Sequence, residues 1–266
     1  MRRAGKRAQR GVALAIVVWF VAGMSLLVAG IVLASRSDVR LAQMHAAKAQ
    51  ANAVGDGGVN LLMADIFEGR FTARGGAVLP RGRYQLGDTE VTVVAVPVDW
   101  LVDINTAPAA LLARALRFSR ATEQDRAQEL ALAVVQWRSA RAENGRVQRF
   151  QAVEDLLGVN GVNRTTLDSL RDYIAAPGLN GGLSQPGQRA QRIMQSVRAL
   201  SPANLAAAIE VSSPAPSARA GGYRVDAIIE VGGRHWLRRR WVSNTGSRSG
   251  LPWSVVRTEP ARVVSG

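Results

Sequence analysis

Two histidines, His45 and His235, and no cysteine are all that this chain of 266 residues offers for nucleophilic chemistry. His235 falls at the edge of an expected hairpin, where an exposed strand histidine needs no catalytic explanation, and His45 follows a long apolar run. No G-x-S-x-G, H-E-x-x-H or P-loop pattern occurs. Carboxylates come in two close pairs, Asp99 with Asp103 and Glu154 with Asp155. The second pair opens an expected helix, where the helix dipole accounts for it. Glu143-Asn144-Gly145 carries too few oxygen ligands for a calcium loop. Without cysteine, neither a disulfide framework nor a thiolate metal site can form. An enzyme is therefore not expected.

A sharper pattern lies at Phe150–Val162 (FQAVEDLLGVNGV), preceded by Val102-Asp103-Ile104-Asn105-Thr106-Ala107. Both segments look like helix-hairpin-helix repeats, in which a glycine hairpin and the next helix N-terminus offer N–H groups to one phosphate. Gly161 fits the first hairpin glycine. The second is replaced by Asn163, and the earlier repeat (117–126) has no hairpin glycine. Gly161, Asn163 and Arg164 are the candidate phosphate contacts, with Arg146, Arg149 and Arg171 nearby. The competing reading is a hairpin kept for packing alone.

The remaining chemistry is processing. Gly11–Ser35 is a run of 25 residues without a charge, preceded by Arg2, Arg3, Lys6, Arg7 and Arg10. At 1.5 Å per residue it reaches roughly 37 Å, enough for a hydrocarbon core of about 30 Å, and the basic flank orients the N-terminus to the cytoplasm. Three readings fit residues 1–35: a secretory signal peptide, for which the run is too long; an uncleaved anchor; and a prepilin-type leader cut between Gly11 and Val12. The formal charge is +14. That balance suits nucleic acid, anionic lipid or an acidic partner, yet all basic residues but Lys6 and Lys48 are arginine, as a GC-rich genome would produce.

These positions must be held by elements. The composition extends the apolar helix to about Asn52, with an interruption expected at Gly55-Asp56-Gly57-Gly58 and a helical resumption over Val59–Phe67. Period-two patterning then predicts strands at Ala77–Leu79, Arg83–Leu86 and Glu90–Val98. Four helices follow within 103–176: one capped by Asn105-Thr106 with Pro108 in its first turn, one from Thr122 to about Ala142, one over Gln151–Leu157, and one from Asn163. After linkers at Pro177–Gly187 and Ser212–Gly222, separated by a short helix over Gln188–Leu200, a hairpin turning at Gly232-Gly233 closes the chain, with Trp253–Thr258 as a last strand. The expected fold is α+β: a long N-terminal transmembrane helix leading into an antiparallel sheet domain, with an inserted all-α, helix-hairpin-helix-like subdomain.

The Gly11-Val12 boundary, Ile104-Asn105-Thr106-Ala107-Pro108, the inserted helical repeats and the hairpin YRVDAIIEVGGRHWLRRRW at 223–241 together resemble the K-class minor pseudopilins (GspK) of bacterial type II secretion. The resemblance covers nearly the whole chain. It implies a prepilin leader over 1–11, a transmembrane helix over 12–35 and its periplasmic extension over 36–69. It also implies a pilin-like α/β domain over 70–102 and 210–260, with the helical insert at 103–209. By the same resemblance, prepilin peptidase cuts after Gly11 and Val12 is N-methylated. The chain would then cross the bacterial inner membrane once, with its bulk in the periplasm. It would sit at the tip of the pseudopilus and help start its assembly for export across the outer membrane. Its partners would be the I- and J-class minor pseudopilins, the major pseudopilin and the inner-membrane platform. Pilins usually carry Glu at the fifth mature position; here that position is Ile16, as in this class. Calcium is a family property, but its acidic stretch is reduced here to Gln136-Trp137-Arg138-Ser139, and no cofactor ligands are evident. A membrane-anchored DNA receptor of the competence type is the rival. It leaves residues 60–100 and 212–260 without a role, and nucleic acid is not an expected partner.

Overall fold

The computed structural model describes residues 8–71, 80–119, 123–140, 147–175, 193–195, 197–198, 221–246 and 250–264; the side chains of 8–13, 31–37 and 124 fall outside that description. The expected strand at 77–79, the cap at Thr122 and the linkers lie outside the described residues. The chain divides into two compact units, Met1–Ala49 and Gln50–Gly266.

The first unit is helical from Ala8, as the beginning of α1 (Ala8–Phe67). Its described apolar side chains are uncovered: Trp19 is 81% and Leu26 76% exposed. Among the described residues no helix is long and apolar enough to cross a membrane. Within the 11–35 run the described side chains are those of Leu14–Gly30, about 26 Å of helix.

The second unit is α+β. Six strands form one antiparallel sheet in the order β1 (Arg81–Leu86), β2 (Thr89–Pro97), β5 (Gly222–Val231), β6 (Arg234–Ser243), β7 (Ser254–Thr258), with β8 (Arg262–Val264) also on β6. β2 and β5 are direct neighbours, Val91 opposite Ile229 through Pro97 opposite Tyr223. The described residues between these two strands in the sequence lie outside this sheet. They include β3 (Val102–Asp103) paired in parallel with β4 (Ile174–Ala175), and the helices α2 (Ala109–Phe118), α3 (Gln124–Ser139) and α4 (Arg164–Leu170). The sequence pattern does not show β3 and β4, because two-residue strands have no period to detect.

Period-two alternation gives the sheet two different faces. Val91, Val93, Ala95, Val225, Ala227, Ile229 and Val242 point to one side and bury Val59, Leu62 and Met63 of α1. Val94, Val96 and Trp241 point to the other and join the core of the helical insert.

The glycine-rich stretch 55–58 does not interrupt α1, contrary to the composition-based expectation. Its glycines let the helix approach the sheet. A Cβ on Gly55 would lie 2.6 Å from Arg238 Cβ, and one on Gly58 2.9 Å from methyls of both Val91 and Val93. At Gly57 the nearest atom is Leu86 Cδ1 at 3.2 Å, the free end of a flexible side chain. Alanine gains about 0.5–1 kcal/mol over glycine in a helix, whereas overpacking costs about 1–3 kcal/mol. Gly55→Ala is expected to lower stability by about 1–2 kcal/mol, while Gly57→Ala stays within about 0.5 kcal/mol of the parent. Denaturant unfolding of both variants checks this; equal losses at the two positions would refute the close-approach account.

Two more expectations change at the residue level. Asn105 does not cap a helix: α2 begins at Ala109 behind Pro108. Its amide instead pairs with the backbone of Phe150, accepting from the N–H (2.9 Å) and donating to the C=O (3.1 Å), as a strand neighbour would. The turn is held by Asp103, which accepts from Asn105 N–H and Thr106 Oγ1, both at 2.8 Å. The segment expected as a helix over 151–157 is a single 3-10 stretch, Val153–Gly158, too short to settle into α geometry.

Candidate functional site

Three places hold the residues in question. Gly11 and Val12 lie in the opening turns of α1. Glycine weakens a helical turn by about 1 kcal/mol relative to alanine, so the turn at Gly11 opens at less cost than its neighbours.

The hairpin Val159–Asn163 is the second. Gly161 adopts φ +86°, the left-handed conformation that favours glycine. Its outer surface faces α3: a Cβ there would lie 2.7 Å from Arg126 Nη2 and 3.0 Å from Leu130 Cδ2. Asn163 caps α4, its Oδ1 accepting from Thr166 N–H at 2.8 Å and Thr166 Oγ1 at 3.0 Å. Arg164 pairs with Asp168 at 3.2 Å. The structure thus brings the three candidate residues together on an exposed turn, where Asn163 serves its cap and Arg164 a solvent-exposed ion pair. A phosphate would have to displace the Asn163 carbonyl from the helix end it caps. Arg149 is exposed, Arg146 lies outside the described residues, and Arg171 points inward.

Arg171 belongs to the third place, a seam of buried charge between the sheet and the insert. The two-residue turn at Gly232-Gly233 sets Asp226 opposite Arg239 and Arg224 opposite Trp241. Arg239 grips Asp226 with two hydrogen bonds, Nε to Oδ1 at 2.6 Å and Nη2 to Oδ2 at 2.9 Å, and reaches Asp172 of the insert at 2.6 Å. Arg224 Nε lies 3.1 Å from Asp226, and its Nη1 donates to the Asp172 carbonyl. Arg171 faces Glu154 at 3.1 Å and Glu259 at 3.4 Å, Trp241 Nε1 donates to Glu259, and Arg257 pairs with Glu154. Arg224, Asp226 and Arg239 are at most 1% exposed.

The triple Arg238-Arg239-Arg240 divides by strand alternation. Arg239 turns to the seam, while Arg238 and Arg240 meet Asp56 of α1 on the opposite face at 2.8 and 3.4 Å. Sequence reasoning missed this seam. The signal was available: a turn at 232–233 pairs 231 with 234 and hence 226 with 239.

Every carboxylate of the seam accepts from a guanidinium, so none is placed as a general base. Burial raises the Asp172 carboxyl, but the charges of Arg239 and Arg224 and the Arg239 hydrogen bond outweigh it and hold it below the usual range. Glu154 is likewise held low: burial opposes, and Arg257 with Arg171 prevails. A carboxyl depressed in the fold contributes stability above its unfolded pKa, near 4, which is lost as pH falls through its folded value. Unfolding midpoints are therefore expected to be flat from pH 7 to about 5 and to drop below about 4, with the drop reduced in Asp172→Asn.

Among the described residues, no group of three or more His, Cys, Asp or Glu is placed to hold a metal ion. The stretch Gln136–Ser139 does not fit calcium. Trp137 stacks on Phe150 (ring centres 4.2 Å apart), and Arg138 donates to the Ile104 and Ala107 carbonyls at 2.8 and 2.7 Å, placing a fixed cation against those oxygens. His235 is exposed on β6, 4.0 Å from Glu230, and His45 is exposed on α1.

No family model matches the chain, and no curated protein matches it. Among solved structures it is similar to a chain described as "The Crystal Structure of the GspK-GspI-GspJ complex from enterotoxigenic Escherichia coli Type 2 Secretion System". The two share 12% sequence identity with a TM-score of 0.48, over 86% of this chain and 100% of that one.

Proposed function

We propose that the chain is a minor pseudopilin of the K class, trimmed between Gly11 and Val12 and placed at the tip of a type II secretion pseudopilus, where it starts assembly. The observation that carries this reading is the charge-free run of 25 residues behind five basic ones, opening a helix whose last turns pack on an antiparallel sheet. A helix that is apolar all round needs lipid or other helices to cover it. The exposed Leu14, Ile16, Trp19 and Phe20 supply such a surface. Ile16 fits a terminal subunit, because a carboxylate in an apolar bundle is costly without a neighbour's cation to meet it. In this reading the N-terminus faces the cytoplasm and the second unit lies in the periplasm, in reach of I- and J-class partners. A DNA receptor needs helix-end N–H groups free for phosphate, and the Asn163 side chain already takes the Thr166 N–H at the start of α4, which speaks against that alternative.

N-terminal sequencing of the chain from cells with a working secretion apparatus tests the proposal. Val12 is the expected first residue, and the full chain is expected to co-purify with candidate I- and J-class subunits. Recovery of Met1 or Ser35 as first residue, with neither partner retained, would overturn it.

A further inference from the structure

The C-terminal half of α2 borders an open cleft of about 350 Å³, lined by Arg114, Arg117, Phe118 and Met194. Arg114 and Arg117 are three residues apart and share one face of the helix. Met194 is buried and Phe118 half-buried, so the cleft has an apolar lining beside its charged one. Arg198 brings a third guanidinium, 5.8 Å from the centre of the Phe118 ring. Arg117 is exposed and meets no carboxylate among the described residues.

The sequence on both sides of the cleft is one-signed. Residues 104–122 carry Arg114, Arg117 and Arg120 and no acidic residue. Residues 173–209 carry Arg189, Arg192 and Arg198 and again none. At the chain's average of 20 acidic residues in 266, about four would fall in these two stretches. A GC-rich genome explains arginine in place of lysine, but it does not remove aspartate and glutamate. The cleft therefore draws no neutralising charge from the stretches that build it, and its field favours an anion from outside.

Three features define that anion. Guanidinium forks take the paired oxygens of a carboxylate or phosphate. Phe118 and Met194 call for an apolar group next to it. The cleft is also open, whereas sites for free small molecules bury most of their ligand, so the occupant must continue beyond it. A nucleic-acid strand would need an aromatic face for its bases. Phe118 is not such a platform, because Arg198 lies over its ring and Tyr173 packs on it edge to face, with ring centres 5.7 Å apart.

We propose that this cleft binds an acidic segment of another protein. A carboxylate of the extended peptide meets Arg114 and Arg117, and an adjacent apolar side chain enters between Phe118 and Met194. The assignment stands independently of the secretion role.

The test uses the full-length protein in detergent and the fluorescence anisotropy of a fluorescein-labelled peptide of alternating aspartate and leucine, measured against detergent alone. Saturable binding is expected, abolished when asparagine replaces aspartate and weakened when serine replaces leucine. Arg117→Gln removes one charge-assisted contact and is expected to weaken binding about tenfold while keeping the parental unfolding midpoint. Arg83→Gln, which removes an exposed arginine of β1, makes the same change in net charge and should leave affinity within about twofold. No saturable binding below about 1 mM overturns the proposal, as does an Arg117→Gln protein that keeps its affinity. Equal losses in the two variants would mean a diffuse charge effect and overturn it too. A fluorescein-labelled single-stranded oligonucleotide that binds more tightly than the peptide, and loses affinity in Arg117→Gln, would overturn it in favour of nucleic acid.

Discussion

Gly11→Phe is expected to leave the chain untrimmed, with Met1 retained in intact-mass spectra while the parent begins at Val12. A peptidase working at the membrane face must draw the backbone out of the helix and seat the residue before the cut. Glycine eases the first step by about 1 kcal/mol and has no side chain to obstruct the second. A phenyl ring in a seat fitted to glycine costs about 3 kcal/mol, which slows the cut by about a hundredfold. Secretion should fail with it, because the untrimmed basic leader keeps five charges at the end of the helix. Gly11 lies far along the chain from the core of Gln50–Gly266, so the unfolding midpoint of that unit should not move. An uncleaved anchor predicts the opposite: Met1 in parent and variant alike, with secretion unaffected.

The second large effect is expected inside the fold. Asp226→Ala removes the carboxylate that Arg224 and Arg239 share at 3.1 and 2.6 Å. A buried pair adds little net stability when formed, since desolvation consumes most of the attraction. Removing one partner is another matter, because two guanidinium groups with almost no solvent access lose their shared anion. The expected cost is about 3–5 kcal/mol, or roughly 6–20 °C in the midpoint of a unit this size. Arg164→Ala, which breaks an exposed pair with Asp168, is the control and should change stability by less than about 0.5 kcal/mol. Denaturant unfolding of both variants separates the cases; similar small losses would mean that the seam does not hold the insert.

Much of the α+β character was legible along the chain because it rests on period and punctuation. The hairpin at 222–243 was readable from alternation around Gly232-Gly233, and β2 from the period-two patterning of Glu90–Val98. Asn163 was readable as the start of α4, since its side chain acts on its own backbone three residues on. The errors share one cause. Gly55–Gly58 looked like a helix breaker, and Asn105 looked like a cap, because each is judged locally by propensity. In the fold, each answers to a distant partner: Arg238 and Val91 in the first case, Phe150 in the second.

The candidate site divides in the same way. The Gly161 turn was visible as a glycine where the chain must reverse, but its contact with Arg126 and Leu130 was not. Nor could the hydropathy pattern reveal that three consecutive arginines, 238 to 240, serve two faces of one sheet.

Residue order alone determined the apolar N-terminal run, its basic flank, the absence of thiol chemistry, and the longer strands with the turns at Gly87-Asp88 and Gly232-Gly233, but not the short β3, β4 and β8, since the former depend on neighbours within a few positions. Tertiary structure alone decided that β2 and β5 are adjacent across residues 98–221, that glycines in α1 serve close approach, and that Arg224, Asp226 and Arg239 form a buried seam with Asp172. The physical reason is range. Propensity and turn chemistry act over a few bonds, whereas desolvation and charge pairing act between whichever groups the packed chain brings within a few ångströms.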